Sequence, residues 1–377
     1  MEPSQDSERE LIRETLREFV DEEVKPRAAA ADEHQEFPED LWDELADLGF
    51  TGLTVPEEYG GFDADQVTYS LINEELARGD LSLATALSVH CLATSCIRNF
   101  GSETHREEWL PAMNDGRPVG AFALSEPQAG SNPAEMTTEA RPDGDEYVIN
   151  GTKQWITNGQ RSGVVILFAK TDRDDPNSIT QFLVPKETAG VHVGKREDKL
   201  GLRASDTTTL VFENARIPAE NRLTDVGAGL KAALSTLTGG RIAIASQAVG
   251  LAQAALDDAL EYAQQREQFG QPIIDHQAVA HTLAEMQTRA QAARLLARDA
   301  ARKNDGDEVD PLSASMAKYF ASETAESVAS EALQIHGGYG FTKEYDVERY
   351  YRDAKVTTIY EGTSEIQKEI ISRHLRS

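Results

Sequence analysis

Apolar positions along the chain keep one period at both ends and another in the middle. From residue 6 to about 115 the period is helical: Leu11, Ile12, Leu16, Phe19, Val20 and Val24 line one face of a helix that Pro26 should close. A second helix is expected from Pro38, whose fixed φ suits a first turn, to Gly49, which suits a stop. Thr51 to Tyr59, followed by Gly60 and Gly61, reads as a loop. Further helices are expected over about 65 to 78 and 81 to 100, with a short one ending before Pro111.

Near residue 118 the period drops to that of strands. Val119 to Leu124, Tyr147 to Ile149, Thr152 to Thr157, Val164 to Lys170, Thr180 to Val184 and Thr208 to Glu213 are short β-rich runs between turn residues, and Asn150-Gly151 signals a hairpin. Such a domain is a suitable platform for a flat cofactor. From Leu230 helical spacing returns in longer runs: Ala232 to Gln268, interrupted at Gly239-Gly240 and Gly250, then Asp275 to Lys303, Pro311 to Gln334 and Glu365 to Leu375. Their alanine-rich faces suit close packing in a bundle. At 377 residues the chain exceeds the size of one growing core. The expectation is an α+β multidomain protein: an N-terminal all-α domain over 1–117, a middle antiparallel β-barrel domain over 118–224 and a C-terminal four-helix bundle over 225–377.

Charge narrows the function classes. Thirty-seven basic against sixty-five acidic residues give a net charge of −28, spread through every segment. A field of that sign repels nucleic acid and anionic lipid, so neither is expected as a partner. Self-repulsion weakens such a fold in dilute buffer and is screened when the Debye length shrinks to about 3 Å near 1 M salt, which points to a salt-loving host. With no eighteen-residue apolar run and an acidic N-terminus, neither a membrane span nor a signal peptide is expected, and the protein should be cytoplasmic. Cys91 and Cys96 are too few and too close for a disulfide framework and read as small buried residues. No histidine pair has ligand spacing, so no metal site is expected.

Three stretches could carry chemistry. In Ile359-Tyr-Glu-Gly-Thr-Ser-Glu-Ile-Gln367 the carboxylate of Glu361 precedes Gly362, which permits a sharp turn or the close approach of a flat ligand. Thr363 and Ser364 can cap the helix that follows, with Gln367 as capping-box partner. Glu361 is then either a base held outside a helix start or a solvated first-turn acid. Phe122-Ala-Leu-Ser-Glu-Pro-Gln-Ala-Gly-Ser131, ending a strand, offers backbone N–H groups to a ring carbonyl or a phosphate, or is a plain surface loop. In Gln154-Trp-Ile-Thr-Asn-Gly159, Trp155 is either a stacking surface or core, with the Thr157 hydroxyl on its face of the strand.

Tyr360 to Gln367, followed by a terminal helix, resembles the signature of the acyl-CoA dehydrogenases. The order of helices, β domain and helical bundle agrees with that family's fold over essentially the full length. The resemblance implies FAD as cofactor and α,β-dehydrogenation of an acyl-CoA, Glu361 removing the α-proton while the β-hydrogen leaves as hydride to the flavin. The segment from Phe122 is similar to the family's Thr-Glu-Pro-Gly-Ala-Gly-Ser-Asp: Ser125 stands for the Thr, Gln128 for the first Gly and Asn132 for the Asp, while Ser131 is retained. It implies flavin contacts at Phe122, Leu124, Ser125, Trp155, Ile156, Thr157, Thr363 and Glu365, and substrate contacts at Ser131, Arg241 and Gly362.

Arg266-Glu-Gln-Phe-Gly270, by itself a helix C-terminus, is similar to the family's Arg-x-x-Phe-Gly. With Gln277 and Gln334-Ile-His-Gly-Gly338, it implies that Arg266, Phe269, Gln277, Gln334, Gly337 and Gly338 hold the FAD of a neighbouring subunit, hence a homotetramer. Members such as the isovaleryl type carry their base immediately before the arginine that here is Arg241; Gly240 occupies that place, so the base is expected at Glu361. Thr238 stands where many members have Asp near the CoA. The closest overall likeness is to short-chain or butyryl-type members. Ala84, where the glutaryl-CoA branch carries an Arg, argues against glutaryl-CoA. Electron-transferring flavoprotein is the implied acceptor. The alternatives are an acyl-CoA oxidase-like enzyme and a non-catalytic flavoprotein of the same fold.

Overall fold

The structure, a computed structural model, describes residues 5–306 and 309–376. Helix α1 (Gln5–Phe19) does not end at Pro26. It passes through a π-helical turn, Val20–Val24, into α2 (Lys25–His34). Pro26 lies in the first turn of α2, where its missing N–H would have had no intrahelical partner. Helix α3 (Glu39–Asp47) begins after Pro38 and stops before Gly49 at φ +80°, as expected. Helices α4 (Gln66–Gly79) and α5 (Leu81–Phe100) are capped by the carboxylates of Asp65 and Asp80. Helix α6 (Glu103–Asn114) runs past Pro111 instead of ending before it, closed at its start by a reciprocal cap between Ser102 and His105. Among the described residues α5 is the one helix long and apolar enough to cross a bilayer; it is a core helix, mostly buried in the protein.

Seven strands form the middle layer: β1 (Gly120–Ala123), β2 (Glu139–Asp143), β3 (Glu146–Thr157), β4 (Val164–Lys170), β5 (Ile179–Pro185), β6 (Val191–Arg196) and β7 (Thr207–Pro218). Their order is β1-β4-β2-β3-β7-β6, with β5 also paired to β4. The sheet is mainly antiparallel, but β1 lies parallel to β4, Gly120 against Val164 through Ala123 against Leu167. Asn150-Gly151 is not a hairpin. It lies inside β3 at a register shift, with Gly151 at φ +152°. A Cβ there would sit 2.4 Å from Thr138 Oγ1, so the glycine serves a bulge and a close approach. The turn is at Gly144 (φ +69°), between paired Asp143 and Glu146. Strands β2 and β6 escaped the periodicity because both are largely solvent-facing.

Helix α7 (Gly229–Gln265) runs unbroken through Gly239, Gly240 and Gly250. A miniature hairpin, β8 (Glu267–Gln268) with β9 (Gln271–Pro272), leads to α8 (Gln277–Lys303) and α9 (Pro311–His336). Helix α10 (Val347–Thr357) holds the basic run from Arg349, and α11 (Ser364–His374) closes the chain. Alanines 243, 245, 252, 255, 259, 290, 293, 297, 317, 321, 325 and 329 are buried where α7, α8 and α9 meet, so these helices approach closely. The α7 core is continuous with that of α4 and α5. The C-terminal bundle thus presses on the N-terminal helices, and the β layer meets them through α5 and α7.

Candidate active site

The turn between α10 and α11 is built by its own hydrogen bonds. Thr363 caps α11 through Oγ1, which accepts from Ile366 N at 3.3 Å, and Ser364 N donates to Thr358 O at 2.9 Å. Glu361 (φ +54°) and Gly362 (φ +92°) take left-handed conformations, which a non-glycine adopts only when its surroundings impose it. Gln367 is not a capping-box partner. Its Nε2 donates to Gly362 O at 2.9 Å and Glu361 O at 3.3 Å, clamping the turn. Lys318 Nζ, on α9, donates to the same Gly362 carbonyl at 2.7 Å.

This geometry turns Glu361 inward, so it is not a solvated first-turn acid. A Cβ on Gly240 of α7 would lie 2.9 Å from Glu361 Oε2, so the two alternative base positions converge on one point in space. Oε2 is sealed and has no hydrogen-bond partner among the described residues, and the same holds for Nε of buried Arg241. Burial pushes the Glu361 carboxyl up to about 7, with Arg241 and Lys318 pulling it back. Below the turn, Tyr360 Oη lies 3.4 Å from Gln247 Oε1, and Gln247 Nε2 donates to Asn73 Oδ1 at 2.8 Å and Ala84 O at 3.0 Å.

The two β-domain segments face each other. A register shift between Lys153 and Ile156 puts Trp155 at φ +59° and throws its indole outward, 53% exposed. It is therefore not core. A Cβ on Gly130 would meet the indole at 3.7 Å, so the loop after β1 lies against it. Ile156 is core and Thr157 half-buried. Phe122 packs on Phe168 with ring centroids 4.9 Å apart and Leu124 is buried. Ser125 accepts from Gln154 N at 3.0 Å through its carbonyl. Ser131 is exposed, and Gln128 bends back to donate to Glu126 at 2.6 Å and Thr137 at 3.1 Å.

Behind this loop lies a pair that periodicity did not reveal. Buried Lys153 donates to Leu124 O at 3.1 Å and to Glu126 Oε1 at 2.8 Å, and Glu126 also accepts from the N–H groups of Thr137 and Thr138. Although burial acts to raise it, the Glu126 carboxyl is held at about 2 by Lys153 and these donors. Both charges stay paired, and the loop is pinned by its own backbone.

The remaining sequence-derived candidates form a separate, exposed group. Phe269 (φ +55°) stands 95% exposed on the β8–β9 hairpin, Arg266 lies over the Tyr339 ring at 5.7 Å, and Gly337 (φ +60°) ends α9. Gln277, Gln334 and Gly338 are also exposed, whereas Glu365, exposed too, belongs to the first turn of α11 beside Thr363. Phe341, 87% exposed, and a Tyr262–His336 stack at 4.2 Å complete this surface. No hydrogen bond or ring contact among the described residues joins it to Trp155 or Glu361 within one chain. No cluster of His, Cys, Asp and Glu suited to a metal occurs among the described residues.

Comparison with known proteins covers nearly the whole chain. The family models for the acyl-CoA dehydrogenase N-terminal, middle and C-terminal domains match residues 6–117, 121–215 and 227–376. The mitochondrial short-chain specific acyl-CoA dehydrogenase of Rattus norvegicus is 44% identical over 97% of this chain and 89% of its own. The structure of butyryl-CoA dehydrogenase from Megasphaera elsdenii superposes with a TM-score of 0.96 at 39% identity, covering 100% of both chains. A structure of the electron transferring flavoprotein of Acidaminococcus fermentans includes a chain matching at TM-score 0.96 and 38% identity, over 100% of this chain and 99% of that one.

Proposed function

We infer the mechanism from the premise that this chain belongs to the acyl-CoA dehydrogenase family. It catalyses the FAD-dependent α,β-dehydrogenation of an acyl-CoA. Glu361 is the base that takes the α-proton, and the observation that carries this is its inward-turned, sealed carboxylate against Gly240. A carboxyl raised to about 7 has the affinity for a proton that a weakly acidic C–H requires. The Glu361 N–H, on the left-handed turn, is the chain's donor to the thioester oxygen as charge develops there.

The residues present fit FAD. The outward Trp155 indole against Gly130 is a large apolar surface that neither core nor fold requires, and the pinned backbone from Leu124 to Ser125 borders it. Phe122, Leu124, Ser125, Trp155, Ile156 and Thr157 would hold the ring system, with Thr363 and Glu365 as its further candidates. The chemistry that the cofactor supplies when bound is acceptance of the β-hydride, which no side chain here can perform. Ser131, Arg241 and Gly362 serve the acyl-CoA. The electron acceptor is an electron-transferring flavoprotein.

Several finer readings are also proposed. A short-chain substrate is supported by the short-chain and butyryl-CoA relatives, and buried Ala84 offers no partner to a distal carboxylate. A homotetramer is supported by the group around Arg266, Phe269, Gln277, Gln334, Gly337 and Gly338, whose exposed surface suits the cofactor of a second copy. A cytoplasmic, salt-rich setting is supported by the net charge of −28. The deciding experiment is the visible spectrum of the protein purified in high salt, before and after anaerobic addition of an acyl-CoA series. A yellow protein whose flavin band bleaches fastest with butyryl-CoA is expected. A yellow protein that no acyl-CoA bleaches would remove the assigned chemistry.

A further inference from the structure

The turn that carries Glu361 is held from behind by a cation to which the reaction assigns no part. Lys318 stands in the Ala- and Ser-lined face of α9, 0% exposed. An ammonium placed there is costly unless it meets acceptors or counter-charge. Its one hydrogen-bond acceptor among the described residues is the Gly362 carbonyl. The charges facing it come from several elements: Glu361 from the turn, Arg241 from α7, Glu323 from its own helix and Glu365 from α11. Of the carboxylates, Glu323 already accepts from Ser364 Oγ at 2.7 Å and Glu365 is solvent-exposed. Glu361, whose Oε2 has no hydrogen-bond partner, is the carboxylate that answers the ammonium most strongly.

The carbonyl that Lys318 grips belongs to the left-handed pair. Gln367 grips it too, but from α11, the helix the turn itself starts, whereas Lys318 ties the turn to an independent rigid helix. We propose that Lys318 is a positioning residue for the base: it pins the Gly362 carbonyl so that the turn keeps Glu361 aimed at Gly240, and with Arg241 it supplies the positive charge that keeps the carboxylate ionised. This rests on Glu361 being the base.

Two groups near the turn titrate in the working range. Burial pushes the Lys318 ammonium down to about 8 and the Glu361 carboxyl up to about 7. Arg241 stays charged, and burial keeps the phenols of Tyr69 (α4) and Tyr360 neutral. Removing the ammonium charge deprives the ionised Glu361 of a stabilising partner, so its proton is lost at higher pH.

The test compares Lys318→Met and Lys318→Gln with the wild type in anaerobic flavin bleaching by butyryl-CoA between pH 5.5 and 9.5. Both variants should move the acid limb of the bleaching rate upward by a pH unit or more and lose about fivefold or more at pH 7. Lys318→Gln, which keeps a donor, should retain more of the maximal rate than Lys318→Met, and KM should change little in either. An unmoved limb with a uniform loss of rate, or no change at all, overturns the proposal. So does failure of both variants to fold with bound flavin, which would make Lys318 structural only. Glu361→Gln runs alongside: a variant as fast as wild type removes the base assignment, whereas an inert one beside Lys318 variants with an unmoved limb removes only the Lys318 inference.

Discussion

At the scale of single residues, the site depends on a carboxylate held against its own preference. The Glu361 carboxyl, raised to about 7 by burial, has a folded-state value above its unfolded one. Its contribution to stability is therefore full below about pH 4 and is lost as pH rises through about 7. Glu361→Gln removes that penalty together with the base. The rate of flavin bleaching should fall by at least about 10³, while the melting temperature at pH 8, read by calorimetry, should hold or rise. A lower melting temperature with the rate preserved would contradict both halves. The local sequence left Glu361 as base or solvated acid and Trp155 as stacking surface or core; the family resemblance singled them out, and the structure turns the one inward and the other outward. The part of Gln367 was misread, since its side chain reaches backward to carbonyls and not to the cap N–H.

At the scale of elements, glycines that look like interruptions are points of contact. A Cβ on Gly250 would lie 2.0 Å from Glu74 O and 3.1 Å from Arg78 N, so α7 and α4 meet there backbone to backbone. Gly79 leaves room on α4 for the side chains of Val20 and Val24, which a Cβ there would meet at 2.8 Å and 3.0 Å. Since α7 carries Gly240 and Arg241 while α4 carries Asn73 under Gln247, this crossing sets the floor of the site. Gly250→Ala would drive a methyl into a carbonyl that cannot swing aside. A loss of about 3 kcal/mol is expected in denaturant unfolding, and an unchanged midpoint would mean that the helices do not approach so closely. Apolar spacing alone does not separate such a glycine from a helix break, because the difference is made by the neighbouring helix.

At the scale of the whole molecule, excess acid and buried acid act together. With a net charge of −28, self-repulsion should make the melting temperature rise from dilute buffer to about 1 M salt. Equal melting temperatures in the two would count against the salt-rich setting. The pH profile has two arms. Asp353 is raised to about 7 by burial and Glu361 likewise, so their stabilisation is lost as pH climbs toward 7; burial raises Asp80 and Asp206 too, with the same sign. Glu126, at about 2, and Asp65, lowered, stabilise above their unfolded values and lose this as pH falls through the folded ones. Stability should therefore peak near the unfolded carboxylate values, at about pH 4 to 5; a peak above pH 8 would show that the buried acids are ionised without cost.

Periodicity and punctuation alone determined the succession of helices, strands and long helices, since core-facing positions must repeat at 3.6 or 2 residues wherever one face of an element is buried. Short motifs that resemble a family's signature singled out the candidate base and the aromatic wall. The tertiary structure decided the rest. It ran β3 through Asn150-Gly151 because Thr138 approaches there, brought Gly240 to a carboxylate far along the chain, and set Lys318 and the Lys153–Glu126 pair behind the two working loops. A lysine's role depends on which carbonyl a distant turn presents to it, and that pairing is fixed by packing between elements, where local spacing carries no information.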